Sequence, residues 1–224
     1  MVGGLSIVPD VRSEVECGMP IPFIVKSVRG LSLKTSSKAN SWSIMIHKIM
    51  FRKAKLVWSH IGKYVKGKRI LDVGMGSGSI SYFLNKKGFE VTSVDVANLS
   101  IYSDLKPVIY DGRRLPFKDN KFDTAIIIHV LHHCENGVDV LKEAKRVAKR
   151  VIFIEDTYRN PLEWLIIASQ DALNNFELWW HKYRSVPEWK RVIKSRKWNV
   201  RAFDQWSEYF ISSVYGRYCM FVVE

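Results

Sequence analysis

The sequence predicts an α/β chain, a doubly wound and largely parallel sheet covered by helices on both faces. Three observations lead there. Short apolar runs alternate with amphipathic stretches at the spacing of βαβ units. Runs such as Ile126-Ile127-Ile128 are apolar at every position, as strands are when both faces of their sheet are covered. The first apolar run ends in a glycine-rich turn, Gly74-Met75-Gly76-Ser77-Gly78, that opens an amphipathic stretch.

Residues 1–40 read as a loosely structured leader, punctuated by Gly3-Gly4, Pro9, Pro20, Pro22 and Gly30. The domain proper is expected over 41–224. Its N-terminal helices span 41–66, where Trp42, Met45, Ile46, Ile49, Met50, Leu56, Val57 and Ile61 recur at three- and four-residue spacing behind a capping Asn40 or Ser41. Arg69–Val73 is the first strand and Ser79–Lys87 the helix after the glycine turn, closed by Gly88. Phe89–Asp95, Val108–Asp111, Phe122–Ile128 and Val151–Glu155 follow as strands, with a helix at Val138–Lys149. An aromatic-rich, mostly helical segment runs over Pro161–Lys197, within a cap expected at 157–197, and Pro187 opens a further short helix there. Two strands close the chain, Val200–Trp206 and Tyr218–Val223.

Composition narrows the class. Of 224 residues, 47% are hydrophobic and 25% charged, a balance that argues against disorder. The three cysteines, Cys17, Cys134 and Cys219, are too few and too scattered for a disulfide framework or a paired-cysteine zinc knuckle. No apolar run reaches the ~20 residues of a membrane span, and no secretory signal is evident, so a reducing, cytoplasmic setting is expected. The net charge is +13, unevenly spread. Residues 17–71 hold twelve Lys or Arg and no Asp or Glu, and 182–201 form a second basic block. An anionic partner for the Lys/Arg-rich stretch 26–69, either RNA or a membrane surface met peripherally, is one expectation; a solvated basic face is the other.

The chemistry centres on Asp72-Val-Gly74-Met-Gly76-Ser-Gly78. Glycines let the chain turn sharply and let a ligand approach where a Cβ would stand. Asp95, twenty-three residues after Asp72, ends the second strand, where a carboxylate can accept hydrogen bonds from ribose hydroxyls. Asp111 ends the third strand in the same way. The dinucleotide fingerprint wants a third glycine where Ser79 stands, and no Gly-Lys-Ser/Thr follows for a phosphate loop.

Arg69–Asp95 resembles motif I and its acidic follower in class I S-adenosylmethionine-dependent methyltransferases. Asp111-Gly-Arg-Arg-Leu-Pro-Phe-Lys-Asp-Asn-Lys-Phe-Asp123 and His129-Val-Leu-His-His133 resemble the corresponding segments of the small-molecule branch called methyltransferase type 11. The resemblance covers roughly Lys68–Glu155. It implies a Rossmann-like seven-stranded sheet with an antiparallel final strand, and S-adenosylmethionine as cofactor. It further implies that Gly74, Met75, Gly76 and Gly78 line the methionine part, that Asp72 meets its amino group, and that Asp95 holds the ribose with Val96 against the adenine. Asp111 and Gly112 would face the adenine amine, and His129 would stand beside the sulfonium.

Methyl transfer from a sulfonium is an in-line displacement that develops no large anion, so alignment is the main demand and a base is optional. His129 and Glu155 are the candidate bases. His129, His132, His133 and Cys134 have i, i+3, i+4 spacing, but no carboxylate stands near them in sequence, so no metal site is expected. Cys134 lacks the proline-cysteine context of a methylating nucleophile. Trp164, Phe176, Trp179, Trp180, His181, Tyr183 and Trp189 beside Arg159, Lys182 and Arg184 point to a small or lipid-like acceptor with an anionic group, unless they pack on the sheet. The alternatives are an RNA methyltransferase and a non-catalytic protein that binds S-adenosylmethionine. Against RNA, the fourth strand runs into His129-Val-Leu-His132 rather than an Asn/Asp-Pro-Pro-aromatic motif.

Overall fold

The computed structural model describes residues 41–175, 181–208 and 216–224. The leader 1–40, with Cys17, Lys26, Arg29, Lys34 and Lys38, lies outside the described residues, as do Phe176, Trp179 and Trp180. The elements are α1 (Ser41–Ile61), β1 (Arg69–Val73), α2 (Ser79–Lys86), β2 (Glu90–Asp95), β3 (Val108–Ile109), β4 (Phe122–Ile128), α3 (Gly137–Val147), β5 (Ala148–Asp156), α4 (Pro161–Asn175), α5 (Val186–Ser195), β6 (Val200–Glu208) and β7 (Gly216–Val223).

The strands form one sheet in the order β3-β2-β1-β4-β5-β7-β6. The first five pair in parallel, and β7 runs antiparallel to both β5 and β6. The order reverses between β1 and β4. In open parallel sheets ligands bind beyond the carboxyl ends of the strands at such a reversal.

The strand sequences explain the layering, because successive side chains point to opposite faces. Ile70, Ile126, Ile152 and Ile154 point to one face, where Ala54, Val57 and Ile61 of α1 and Phe83 and Leu84 of α2 cover them. Leu71, Ile127, Val151 and Phe153 point to the other, under Val140, Leu141, Ala144 and Val147 of α3 and Trp189 and Ile193 of α5. Each fully buried aliphatic side chain of this kind contributes about 1.5–3 kcal/mol. Trp189, at 1% exposure, packs in this core against Phe153, so this aromatic of the cap region belongs to the sheet and not to a substrate wall.

One expectation, the length of the third strand, is corrected. The aromatic segment holds two helices, the second opening beside Pro187 as expected. α4 is followed, after the residues outside the description, by non-helical 181–185, and α5 starts where Pro187 fits the first turn and Glu188 accepts from the Ser185 amide at 2.7 Å. The third strand is only two residues long, so Asp111 stands beyond it, in a turn.

Much of the stretch 111–123 is tied to its neighbours. Glu143 of α3 accepts from the Leu115 amide at 3.1 Å, and Arg146 donates to the carbonyls of Leu115 and Phe117 at 2.9 and 2.8 Å. Asp123 accepts from the amides of Lys68 and Arg69 and from the Arg69 guanidinium, at 2.7 Å for the shortest. These contacts fix the approach to β1 and β4 and thereby the level at which their ends present the glycine turn. Among the described residues, no helix is long and apolar enough to cross a membrane.

Candidate active site

Backbone strain and backbone hydrogen bonds build the turn after β1. Gly74, Gly76 and Gly78 have φ of 72°, 53° and 78°, left-handed values that only glycine adopts freely. The amides of Gly74 and Met75 donate to the Val94 carbonyl at 2.9 and 3.2 Å, which ties the turn to β2. The three glycines differ in what a side chain would meet. A Cβ on Gly74 would lie 2.5 Å from Val130, so the segment after β4 packs directly on the turn. A Cβ on Gly76 would meet nothing within 4 Å. Gly76 therefore borders open space, the cradle that a bound ligand would fill. No side chain caps the start of α2, which leaves amide N–H groups at its first turn for a polar or anionic ligand group.

Asp95 closes the cradle. One carboxylate oxygen accepts from the Gly76 amide at 2.8 Å, the other from Val96 at 2.7 Å and Ala97 at 3.4 Å. It is 7% exposed, and burial pushes its pKa up against these amide donors. A carboxylate offers about four acceptor sites, so Asp95 both braces the turn and keeps capacity for one hydroxyl donor. Asp72, 2% exposed, sits beneath the turn and accepts from the Ser81 hydroxyl at 2.6 Å, with Ser93 next in the chain at 2.7 Å. Burial, with the Asp95 charge adding to it, raises the Asp72 pKa to about 6. Asp111 is exposed and accepts from the amides of Arg113 and Arg114 at 2.9 and 3.0 Å, contacts that lower its pKa. Gly112 beside it has φ of 74°. Asp111 is brought to the Asp95 edge by the Tyr110 amide, which donates to the Asp95 carbonyl at 3.1 Å.

His129, immediately after β4, is one of three non-glycine residues at positive φ among the described residues, here 55°. Such strain costs on the order of 1–3 kcal/mol and persists only where surroundings impose it. Its amide donates to the Ile154 carbonyl at 2.9 Å, its Nδ1 pairs with Asp156 at 2.8 Å, and Tyr218 lies edge-on at 5.2 Å. Asp156 has its pKa lowered, since the His129 and His132 partners outweigh the burial that opposes its charge.

Glu155, the acid before Asp156, is 1% exposed. Its oxygens accept from the amides of Val130, Leu131 and His132 at 2.9, 2.7 and 3.3 Å and pair with His132 Nδ1 at 2.7 Å. Four such contacts use the lone pairs a carboxylate has. Contrary to the expectation that it is a candidate base, Glu155 has no acceptor site left for a substrate proton and serves as the brace of the segment after β4. Burial opposes charge on His132, but Glu155, Asp156 and Asp171 together raise its pKa. Sequence reading missed the role of Asp156, since alternation alone does not say which of two adjacent acids faces His129.

The structure thus gathers Gly74, Met75, Gly76, Gly78, Asp95, Val96, Asp111, Gly112 and His129 along the carboxyl ends of β1 to β4, with Asp72 just beneath. Comparisons with known proteins bear on the domain and the fold. A family model described as a methyltransferase domain (Methyltransf_11) matches residues 71–151. An uncharacterized protein of Methanocaldococcus jannaschii is 35% identical over 88 residues, 39% of this chain and 43% of its own. A ubiquinone biosynthesis O-methyltransferase of Hahella chejuensis is 29% identical over 143 residues, 57% of this chain and 58% of its own. The chain spans about half the length of the curated relatives it matches. Among solved structures, an S-adenosylmethionine-dependent methyltransferase of Methanosarcina mazei superposes with a TM-score of 0.58 at 18% identity, over 73% of this chain and 95% of that one, a likeness of fold. Residues 71–151 match the model of the type 11 methyltransferase domain, the sheet is the Rossmann-like fold of the solved methyltransferases, and the cosubstrate which that match and fold imply is S-adenosylmethionine.

Proposed function

We propose that the chain is an S-adenosylmethionine-dependent methyltransferase acting on a small or lipid-like acceptor. The observation that carries this reading is the open cradle at Gly76, bounded on one edge by Asp95 and Asp111. A glycine turn of this kind fits a sulfonium amino acid linked to a nucleoside. When bound, S-adenosylmethionine supplies an electrophilic methyl group on sulfur. The turn Gly74–Gly78 holds the amino-acid part, with Asp72 charged beneath it. Asp95 takes a ribose hydroxyl, Val96 packs on the base, and Asp111 with Gly112 meets its amine. His129 is the candidate proton acceptor for the methyl acceptor's heteroatom, since Asp156 engages Nδ1 and leaves Nε2 for that proton. Glu155 acts as a positioning residue. The matched relatives named O-methyltransferases support a small acceptor.

For the basic stretch 26–69 we propose an anionic partner. Its described part exposes Lys48, Arg52, Lys53 and Lys55 beside the exposed apolar Ile44, Met45 and Ile49, the composition of a helix that meets a lipid surface.

Incubation of the chain with methyl-labelled S-adenosylmethionine and fractionated cell extract tests the acceptor class. Label is expected in the small-molecule or organic-soluble fraction; label confined to RNA contradicts the proposal. Gly76→Ala is expected to keep the fold, because its Cβ meets no protein atom, with strain of about 1 kcal/mol. Calorimetric affinity for S-adenosylmethionine falls at least tenfold in that variant, and an unchanged affinity removes Gly76 from the site. Asp72 makes a pH prediction. Its folded pKa of about 6 exceeds the ordinary aspartate value of 3.8, so stability is fullest below the lower value and is lost as pH rises through about 6. The loss is on the order of 3 kcal/mol. Asp72→Asn flattens this slope in denaturant melts and weakens donor binding at neutral pH; an unchanged slope refutes the assignment.

A further inference from the structure

We propose that His132, His133 and Asp171 bind one divalent first-row metal ion of the zinc class. One donor atom from each lies within 4.8 Å of the others. The turn after β4 supplies two imidazoles and α4 supplies the carboxylate, a donor set that suits zinc. Tetrahedral ligands ~2.1 Å from an ion stand about 3.4 Å apart, so small side-chain rotations close the set. The sequence withheld this site because its carboxylate stands thirty-eight residues downstream of His133, on another element.

The surroundings are those of a prepared ligand set. Glu155 pairs with His132 Nδ1 at 2.7 Å, which holds the proton there and leaves Nε2 as the donor, 3.9 Å from Asp171 Oδ2. Histidines that ligate metal almost always carry such a carboxylate on the other nitrogen. Asp171 is held in turn by His181 Nδ1 at 2.9 Å and by the Tyr183 hydroxyl, which donates to it. No hydrogen bond engages the His133 ring among the described residues; its neighbours are the rings of His132 and His181, with centroids at 4.1 and 4.5 Å. This half-buried imidazole keeps its ring nitrogens available as ligand atoms. Glu155, Asp156 and Asp171 all lie within 4 Å of His132, a concentration of negative charge that a dication offsets. Three protein ligands leave a further position for water or a ligand oxygen.

The inference rests on these side chains and stands whether or not the methyl donor binds. Its test uses the tag-free full chain, stripped with chelator, loaded with zinc chloride, and passed through gel filtration before elemental analysis. One equivalent of zinc is expected to remain, with an X-ray absorption spectrum containing at least two imidazole ligands. His133→Ala and Asp171→Asn, checked for folding by circular dichroism, are expected to lose that equivalent, and Glu155→Gln to weaken affinity about 10–100-fold. Retention of no zinc overturns the proposal, as does retention at wild-type affinity in both folded variants. The wild-type spectrum decides if a variant does not fold: a shell without imidazole overturns the site.

Discussion

Everything at the candidate site depends on one reversal of the chain between β1 and α2, made without side chains and pinned from below. The bond from the Gly76 amide to Asp95 is the pin. A hydrogen bond to a charged acceptor contributes about 1.5–3 kcal/mol, enough to select one path for a segment whose three left-handed glycines would otherwise wander. The bond also couples two strands, because Asp95 ends β2 while Gly76 follows β1. The cradle exists because the sheet holds those two strand ends in register, Val73 opposite Val94.

A second anchor lies one strand away. Val130 packs on Gly74, and Glu155 grips the amides of Val130, Leu131 and His132. The carboxylate at the end of β5 thus sets the height of the segment that roofs the turn. The strained His129 sits at the head of this segment, its ring fixed by Asp156. Adjacent acids on one strand divide the work: Glu155 holds the backbone of the segment and His132, and Asp156 orients His129. The histidines beyond them share that acidic surrounding, which links the methyl-donor edge to the proposed ion site through a few covalent steps.

The fold was legible where patterns were local. Apolar runs placed β1, β2, β4 and β5, and the glycine turn placed the start of α2. β3 was overextended, since a two-residue edge strand leaves almost no periodic signal. In the cap region aromatic density does not tell wall from core: Trp189 is a core residue of the sheet, and the chain leaves helical geometry over 181–185. For the site, the residues read from motifs are the ones the strand ends collect. What escaped was long-range. Neither the parity that separates Glu155 from Asp156 nor the meeting of Asp171 with His132 and His133 is written in spacing. The Leu115-Pro-Phe117 stretch, part of the segment that resembles the type 11 branch, is held by Glu143 and Arg146, so it shapes the domain.

The central claim is that a methyl-donating nucleoside lies across the ends of β1, β2 and β3. A crystal structure of the chain with S-adenosylhomocysteine tests it most directly. The account predicts the amino-acid tail over Gly74–Gly78, a ribose hydroxyl on Asp95, and the base between Val96 and Asp111. Density at another surface, or a turn at Gly76 that stays empty at saturating ligand, would contradict it.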